Sequence, residues 1–183
     1  MRWFYLIFDL VTSLALIIYL GFLIFDMLDF IIKKIPPLPT FSSVIPPLLK
    51  AMEDKEKKVF IDLGCGTGRV LLAVKKRYPE TQVIGYEIWP SQFLRAKIKF
   101  FIRGLKADIL RKDLFKADLK EADIVFCFLL TSFMKKLEGK FQQELKSGAW
   151  VVSNTFQFPT WKPVKIIPTG KKQSGTLYIY QKE

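Results

Sequence analysis

The chain has 183 residues, half of them hydrophobic and 15% aromatic, which excludes disorder and leaves room for one domain with a substantial core. It contains no histidine and two cysteines, so a Ser–His or Cys–His catalytic pair is impossible and neither a disulfide framework nor a metal site is expected. The formal net charge of +12 directs attention to anionic surfaces as partners.

The first element is apolar. Leu10 to Phe25 carries no charge, and with Trp3–Phe8 and Met27–Ile32 the run exceeds the roughly 20 residues needed to cross about 30 Å of hydrocarbon. Asp9, Asp26 and Asp29 lie near its ends, within reach of headgroups, and Trp3, Phe4 and Tyr5 suit an interfacial belt. A signal peptide has a shorter apolar region and a small-residue cleavage site. A soluble core helix has a polar stripe. Neither feature is present, so residues 1–34 are expected to be a transmembrane anchor. Arg2 precedes the run and Lys33 and Lys34 follow it, so the positive-inside rule does not choose an orientation. These 34 residues hold three basic and three acidic groups, which leaves the whole +12 to the rest of the chain, 26 basic against 14 acidic. For an anchored domain the plainest use of that charge is attraction to anionic lipid. No arginine-rich tract or RNA-binding signature is present, so lipid is preferred to nucleic acid as a partner.

Ile35 to Lys50 (IPPLPTFSSVIPPLLK) contains five prolines. Proline removes backbone donors and fixes φ, so residues 35–50 read as an extended connector and not as a packed element. Two uses stand open: a stiff spacer, or a flap with Thr40 and Phe41 facing a site. Ile45 to Met52 has the composition of a short helix.

Val59 to Val70 (VFIDLGCGTGRV) has the layout of a first βα unit in a doubly wound sheet: buried strand, glycine turn, helix start. Gly64, Gly66 and Gly68 allow unusual φ/ψ values and close approach of a ligand to bare backbone. The helix N-terminus adds free N–H groups and a positive dipole end. The third glycine lies four positions after the first, where the dinucleotide fingerprint needs five, and no Walker A run exists. The pattern D-L-G-C-G-T-G-R over Asp62–Arg69 resembles motif I of the class I S-adenosylmethionine-dependent methyltransferases. That resemblance implies cofactor contacts at Asp62, Gly64, Cys65, Gly66 and Gly68. S-Adenosylmethionine is made in the cytoplasm, so it also implies a single-pass protein whose catalytic domain faces that side.

Gln82 to Glu87 reads as a second buried strand ending in a carboxylate, nineteen residues after Gly68. An acidic residue at such a position accepts from both hydroxyls of a ribose; a solvated strand-end charge is the alternative. Pro90 suits a helix N1 position, and Ser91 to Arg103 is expected to be helical with Phe93, Ile98 and Phe101 on its apolar face. Ala107 to Arg111 is a third strand. In the methyltransferase superfamily an acidic residue after this strand receives the adenine amine and the next N–H meets the ring, which implies Asp113 and Leu114. A loop aspartate without that role is the alternative. Ala122 to Leu129 is apolar throughout, as for a central strand covered on both faces. Its C-terminal end, Leu129 to Ser132, should open beside the reacting methyl. The L-L-T-S found there differs from the N/D-P-P-Y type motif of base and glutamine amino-methyltransferases. Ser132 is the N-cap candidate for a helix over Phe133–Lys146, Gly148 its terminator, and Ala149–Thr155 strand five. Val164–Pro168 and Thr176–Gln181 are expected to form a hairpin across GKKQSG. Phe156–Trp161 (FQFPTW) is too short for a full helix. Phe158, Pro159 and Trp161 either seal the sheet edge or line an apolar substrate channel, for which Thr40 and Leu130 are the other candidates.

Taken in order, the anchor, a Pro-rich connector containing P-L-P-T, D-L-G-C-G-T-G-R, G-Y-E-x-x-P, a D-L pair after strand three (Asp113–Leu114) and F-x-F-P-x-W resemble one group of enzymes. These are the small membrane-anchored protein-lysine methyltransferases of the ATP synthase c subunit and adenine nucleotide translocase type, with their prokaryotic relatives. The resemblance implies an α/β fold: a doubly wound, mostly parallel Rossmann-like sheet with an antiparallel C-terminal hairpin, over residues 51–183. It implies S-adenosyl-L-methionine as cofactor and a lysine of a protein, in the first place a membrane protein, as acceptor. A lipid-soluble small-molecule acceptor and a non-catalytic cofactor-binding module are the alternatives. Methyl transfer from a sulfonium needs alignment and exclusion of water more than a dedicated base, and no catalytic residue is named.

Overall fold

Seven strands make the framework: β1 (Val59–Leu63), β2 (Gln82–Glu87), β3 (Asp108–Arg111), β4 (Ile124–Cys127), β5 (Trp150–Asn154), β6 (Lys165–Pro168) and β7 (Thr176–Gln181). In this computed structural model residues 1–33, 40–55, 58–169 and 175–183 are described, the side chains at 26 and 29–33 excepted. The side chains of Asp26, Asp29 and Lys33, together with Lys34, the connector residues 35–39 and the hairpin-loop residues 170–174, therefore lie outside the described part. The strands form one sheet in the order β3-β2-β1-β4-β5-β7-β6. β1 pairs in parallel with β2 and β4, β2 with β3, and β4 with β5, whereas β7 runs antiparallel between β5 and β6. All four residues of β4 and all five of β5 are buried, as expected of central strands covered on both faces.

Helices cover both faces. α2 (Ile45–Ala51), α3 (Arg69–Arg77) and α4 (Pro90–Ile102) pack on one face through Leu48, Val70, Leu71, Val74, Ala96 and Phe100. α5 (Thr131–Glu144) packs on the other through Met134, Leu137 and Phe141. This is the expected doubly wound sheet with its antiparallel hairpin.

Three local expectations are corrected. The short helix expected over Ile45–Met52 is present as α2, but the stretch read as an unpacked connector is part of the core: Ser42–Val44 is a 3₁₀ turn, and Val44, Leu48 and Met52 are fully buried. Pro46 and Pro47 occupy the first turn of α2, where a missing N–H leaves no bond unmade and the fixed φ is already helical. The Tyr78 hydroxyl donates to the Leu49 carbonyl at 2.9 Å and ties α2 to the end of α3. In α4 the buried face is Ala96 and Phe100, while Ile98 is half exposed and Phe101 is 86% exposed. The helix is apolar on two sides, so periodicity alone did not identify the inner one. α5 begins at Thr131, with Leu130 as N-cap and no side-chain cap bond, and ends at Glu144. Ser132 is therefore inside the helix. Gly148 (φ 83°) lies in the turn that delivers the chain to β5, its N–H donating to the Lys182 carbonyl at 2.8 Å.

α1 (Arg2–Lys33) is a single helix. Arg2–Phe25 has a mean hydropathy of 2.3, with none of that window buried, which is long and apolar enough to cross a membrane. It meets the rest of the chain at α4. Arg95 Nη2 donates to the Tyr19 hydroxyl at 2.5 Å, its guanidinium lies 5.4 Å from the Tyr19 ring centre, and Phe22 and Phe25 flank a groove against Pro90 and Arg111.

Candidate functional site

A cavity of about 560 Å³ opens at the C-terminal ends of the parallel strands, where the crossover from β1 to β4 parts the helices of the two faces. Its floor is the turn after β1. Gly64, Gly66 and Gly68 all have positive φ (78°, 53° and 69°), the left-handed region that side chains disfavour. Gly64 and Cys65 N–H donate to the Tyr86 carbonyl at 2.8 and 3.0 Å, so the turn is stitched to the end of β2. Gly66 N–H donates to Glu87 Oε2 at 2.7 Å, and Trp89 N–H donates to Glu87 Oε1 at 2.8 Å. One buried carboxylate thus fixes the glycine turn and the entry to α4 together.

Gly68 serves differently. It caps α3 outside the cavity wall, and a Cβ there would stand 3.3 Å from the Phe100 ring and 3.4 Å from Ala96. It lets α3 and α4 approach. Gly85 in β2 has a similar task that the sequence pattern did not reveal: a Cβ would lie 2.5 Å from Leu71 Cδ1 and 2.7 Å from Cys65 Sγ. Cys65 therefore packs its side chain on β2, and the residue also lines the cavity.

The electrostatics are acidic at this end. Asp62 is 3% exposed; burial, and then the neighbouring charge of Glu87, push its carboxyl up to about 8. The Cys65 thiol is pushed well above its usual range, chiefly by burial and further by Asp62 and Glu87, which makes it a packing group and not a nucleophile. Lys99 Nζ donates to the Thr67 carbonyl at 2.6 Å, and burial followed by Arg69 and Arg103 lowers its pKa.

Further along the wall, Asp113 Oδ1 accepts from Phe115 N–H at 3.0 Å and caps the 3₁₀ turn Leu114–Lys116. Asp113 and Leu114 both line the cavity, as do Phe128, Leu129 and Leu130 after β4 and Phe133 on α5. Phe115 and Phe133 stack at 5.6 Å. Thr40 reaches the wall too, its carbonyl accepting from Arg69 Nη1 at 3.0 Å. Phe41, the other residue of the flap reading, is half exposed and does not line the cavity.

Phe158 and Trp161 do not line this cavity. Phe158 is buried against Phe141, Tyr180 and Trp161 at ring distances of 5.6, 4.7 and 5.7 Å, and its N–H donates to the Tyr180 hydroxyl. Glu138 accepts from the Thr160 hydroxyl at 2.6 Å and holds the intervening turn. The segment packs over the junction of α5 and the inner strand β7, away from the cavity. Sequence reasoning also missed Arg69, Trp89, Phe115 and Phe133. Trp89 and Phe133 carried a signal, each lying close after a strand whose end faces the site.

The donor set selects among ligands. Two buried acidic side chains, with the N–H groups of Gly64, Cys65 and Gly66 already engaged by Tyr86 and Glu87, leave no donors there for a phosphate and suit a cationic head, and the volume lies within the roughly 300–1,000 Å³ of cofactor sites. A sulfonium nucleoside with an amino-acid tail fits both features.

Comparison with known proteins agrees. Residues 62–165 match the family described as the ANTKMT methyltransferase domain. A protein-lysine N-methyltransferase of Saccharolobus islandicus is 30% identical over 81% of this chain and 94% of its own length. The adenine nucleotide translocase lysine N-methyltransferase of Mus musculus is 33% identical over 75% of this chain, which spans 60% of that relative. Among solved structures, an RNA methyltransferase from Salinibacter ruber in complex with S-adenosyl-L-homocysteine superposes with a TM-score of 0.71 at 28% identity, over 79% of this chain and 93% of that one. With fold, glycine turn and acidic pair in agreement, the chain belongs to the ANTKMT methyltransferase domain family and is an S-adenosylmethionine-dependent methyltransferase.

Proposed function

We propose that this enzyme is held in a membrane by α1, with its catalytic domain on the cytoplasmic side, and methylates a lysine of a protein in or at that membrane. The observation that carries the acceptor reading is the wall at the end of β4 and the start of α5. Phe128, Leu129, Leu130 and Phe133 bring no titratable side chain to it. An ammonium entering such a place loses hydration, which lowers its pKa and favours the neutral, nucleophilic amine. Two of the similar proteins are named as lysine N-methyltransferases, one of proteins and one of the adenine nucleotide translocase, which supports the same acceptor.

When bound, S-adenosylmethionine supplies a methyl group already activated on a positively charged sulfur. The chain's part is to hold and orient. Asp62 and the backbone from Gly64 through Cys65 to Gly66 take the amino-acid end, Glu87 accepts from the ribose hydroxyls, and Asp113 with the Leu114 N–H takes the adenine. Gly68 acts one step back, by letting α3 close on α4. Thr40 and Leu130 stand on the acceptor side and exclude water. The anchor and the basic domain surface supply the contact with lipid.

The test is transfer of label from cofactor to membranes of the source cell. Label retained in protein and recovered as methyl-lysine after hydrolysis is the expected result. Label extracted with organic solvent would assign a lipid-soluble small molecule instead, and tight cofactor binding without transfer would make the chain a binding module.

A further inference from the structure

We infer that the outer face of α4 is a second membrane contact, an in-plane helix that docks on an anionic lipid surface beside the anchor. This rests on the reading that α1 lies in a membrane. Leu94, Ile98, Phe101 and Ile102 recur at helical spacing and are 39, 46, 86 and 72% exposed. They form one stripe turned away from the buried Ala96 and Phe100. A water-soluble helix has no reason to carry four large apolar side chains on its solvent side. Arg95 and Lys97 border the stripe on either side, and Arg103, with Lys106 beyond it, continues the positive charge past the helix end. A basic helix with an apolar outer face is the composition that settles into the headgroup boundary.

Two observations select lipid as the occupant. The first is continuity: Arg95 is the residue that bonds Tyr19 of α1, so the stripe starts where the apolar surface of the anchor passes by. The second is charge complementarity, since the excess positive charge of the chain lies outside residues 1–34. The consequence reaches the site. Trp89 and Gln92, at the N-terminal end of α4, line the cofactor cavity, so a docked α4 fixes the height of the cavity above the lipid.

The experiment uses the full chain with an environment-sensitive fluorophore on Phe101→Cys, and on Gln143→Cys at an exposed site of α5 on the opposite face of the sheet. The two native cysteines are buried and leave the labelling selective. Reconstituted in phosphatidylcholine vesicles containing phosphatidylglycerol, the Phe101 probe should shift to the blue. Shallow spin-labelled lipids should quench it at least threefold more than the Gln143 probe. Equal quenching at both positions in protein that floats with the vesicles would overturn the α4 contact and leave the anchor standing. Protein that does not float would remove both. A blue shift without lipid quenching, accompanied by cross-linking between copies, would assign the face to a second chain and equally overturn the inference.

Discussion

Asp62 is the residue whose chemistry is most altered by the fold. Its carboxyl, raised to about 8 by burial and by Glu87, is ionised in the unfolded chain above its ordinary value of 3.8 but keeps its proton in the folded, cofactor-free protein up to about 8. The sign follows. The folded state binds more protons between those two values, so stability of the cofactor-free protein falls as pH rises through that window and levels off above about 8. Asp62→Asn should abolish the fall and raise Tm at pH ~8, read by thermal melts across pH. A cationic ligand needs the carboxylate ionised, so affinity for S-adenosylmethionine should rise up to about tenfold per pH unit until pH ~8. Calorimetry should show that dependence in the parent and a weaker, flat profile in Asp62→Asn. Glu87→Ala removes the acceptor of both the Gly66 and the Trp89 N–H and should weaken cofactor binding about a hundredfold, near 3 kcal/mol. Unchanged affinity would remove Glu87 from the site. These two acids were legible in the sequence because each follows an apolar run within a strand. Arg69 was not, since a cation at a helix start signals nothing until Thr40 is seen beside it.

Among the elements, β2 and β7 were readable residue by residue, because apolar runs bounded by turn residues leave little freedom of register. The first turns of helices were harder. α2 was expected as a short helix, but the prolines around it concealed that it packs into the core, and α5 begins without a side-chain cap. Two substitutions test these elements. Leu48→Ala, in a stretch with the composition of a linker, should cost about 2–5 kcal/mol as a buried Leu does elsewhere; a loss below about 1 kcal/mol would mean that α2 is not part of the core. Gly85→Ala should cost about 1–3 kcal/mol or more by overpacking against Leu71 and Cys65. The double variant Gly85→Ala, Cys65→Ala should recover part of that loss, which chemical denaturation will report.

For the whole molecule, the separation of charge from apolarity is what the composition showed most plainly. A zero-charge apolar end and a strongly basic domain predict a protein that stays with membranes through high-salt and alkaline washes and is released by detergent. Release by salt alone would assign the association to charge and not to α1. The placement of Phe158 and Trp161 lay beyond sequence reasoning, because aromatic residues in a short segment serve a seam or a channel equally well until their neighbours are known.

Thr40 on the cavity wall has a geometric consequence. Only six residues separate it from Lys33 at the end of α1, and a chain extends at most about 3.3–3.6 Å per residue. With α1 in a bilayer, the opening of the cavity is leashed within ~25 Å of where the helix ends. On the proposed membrane reading, acceptor lysines carried further out on tall extramembrane structures would be beyond the tether, and enzyme and acceptor would meet by lateral diffusion in two dimensions.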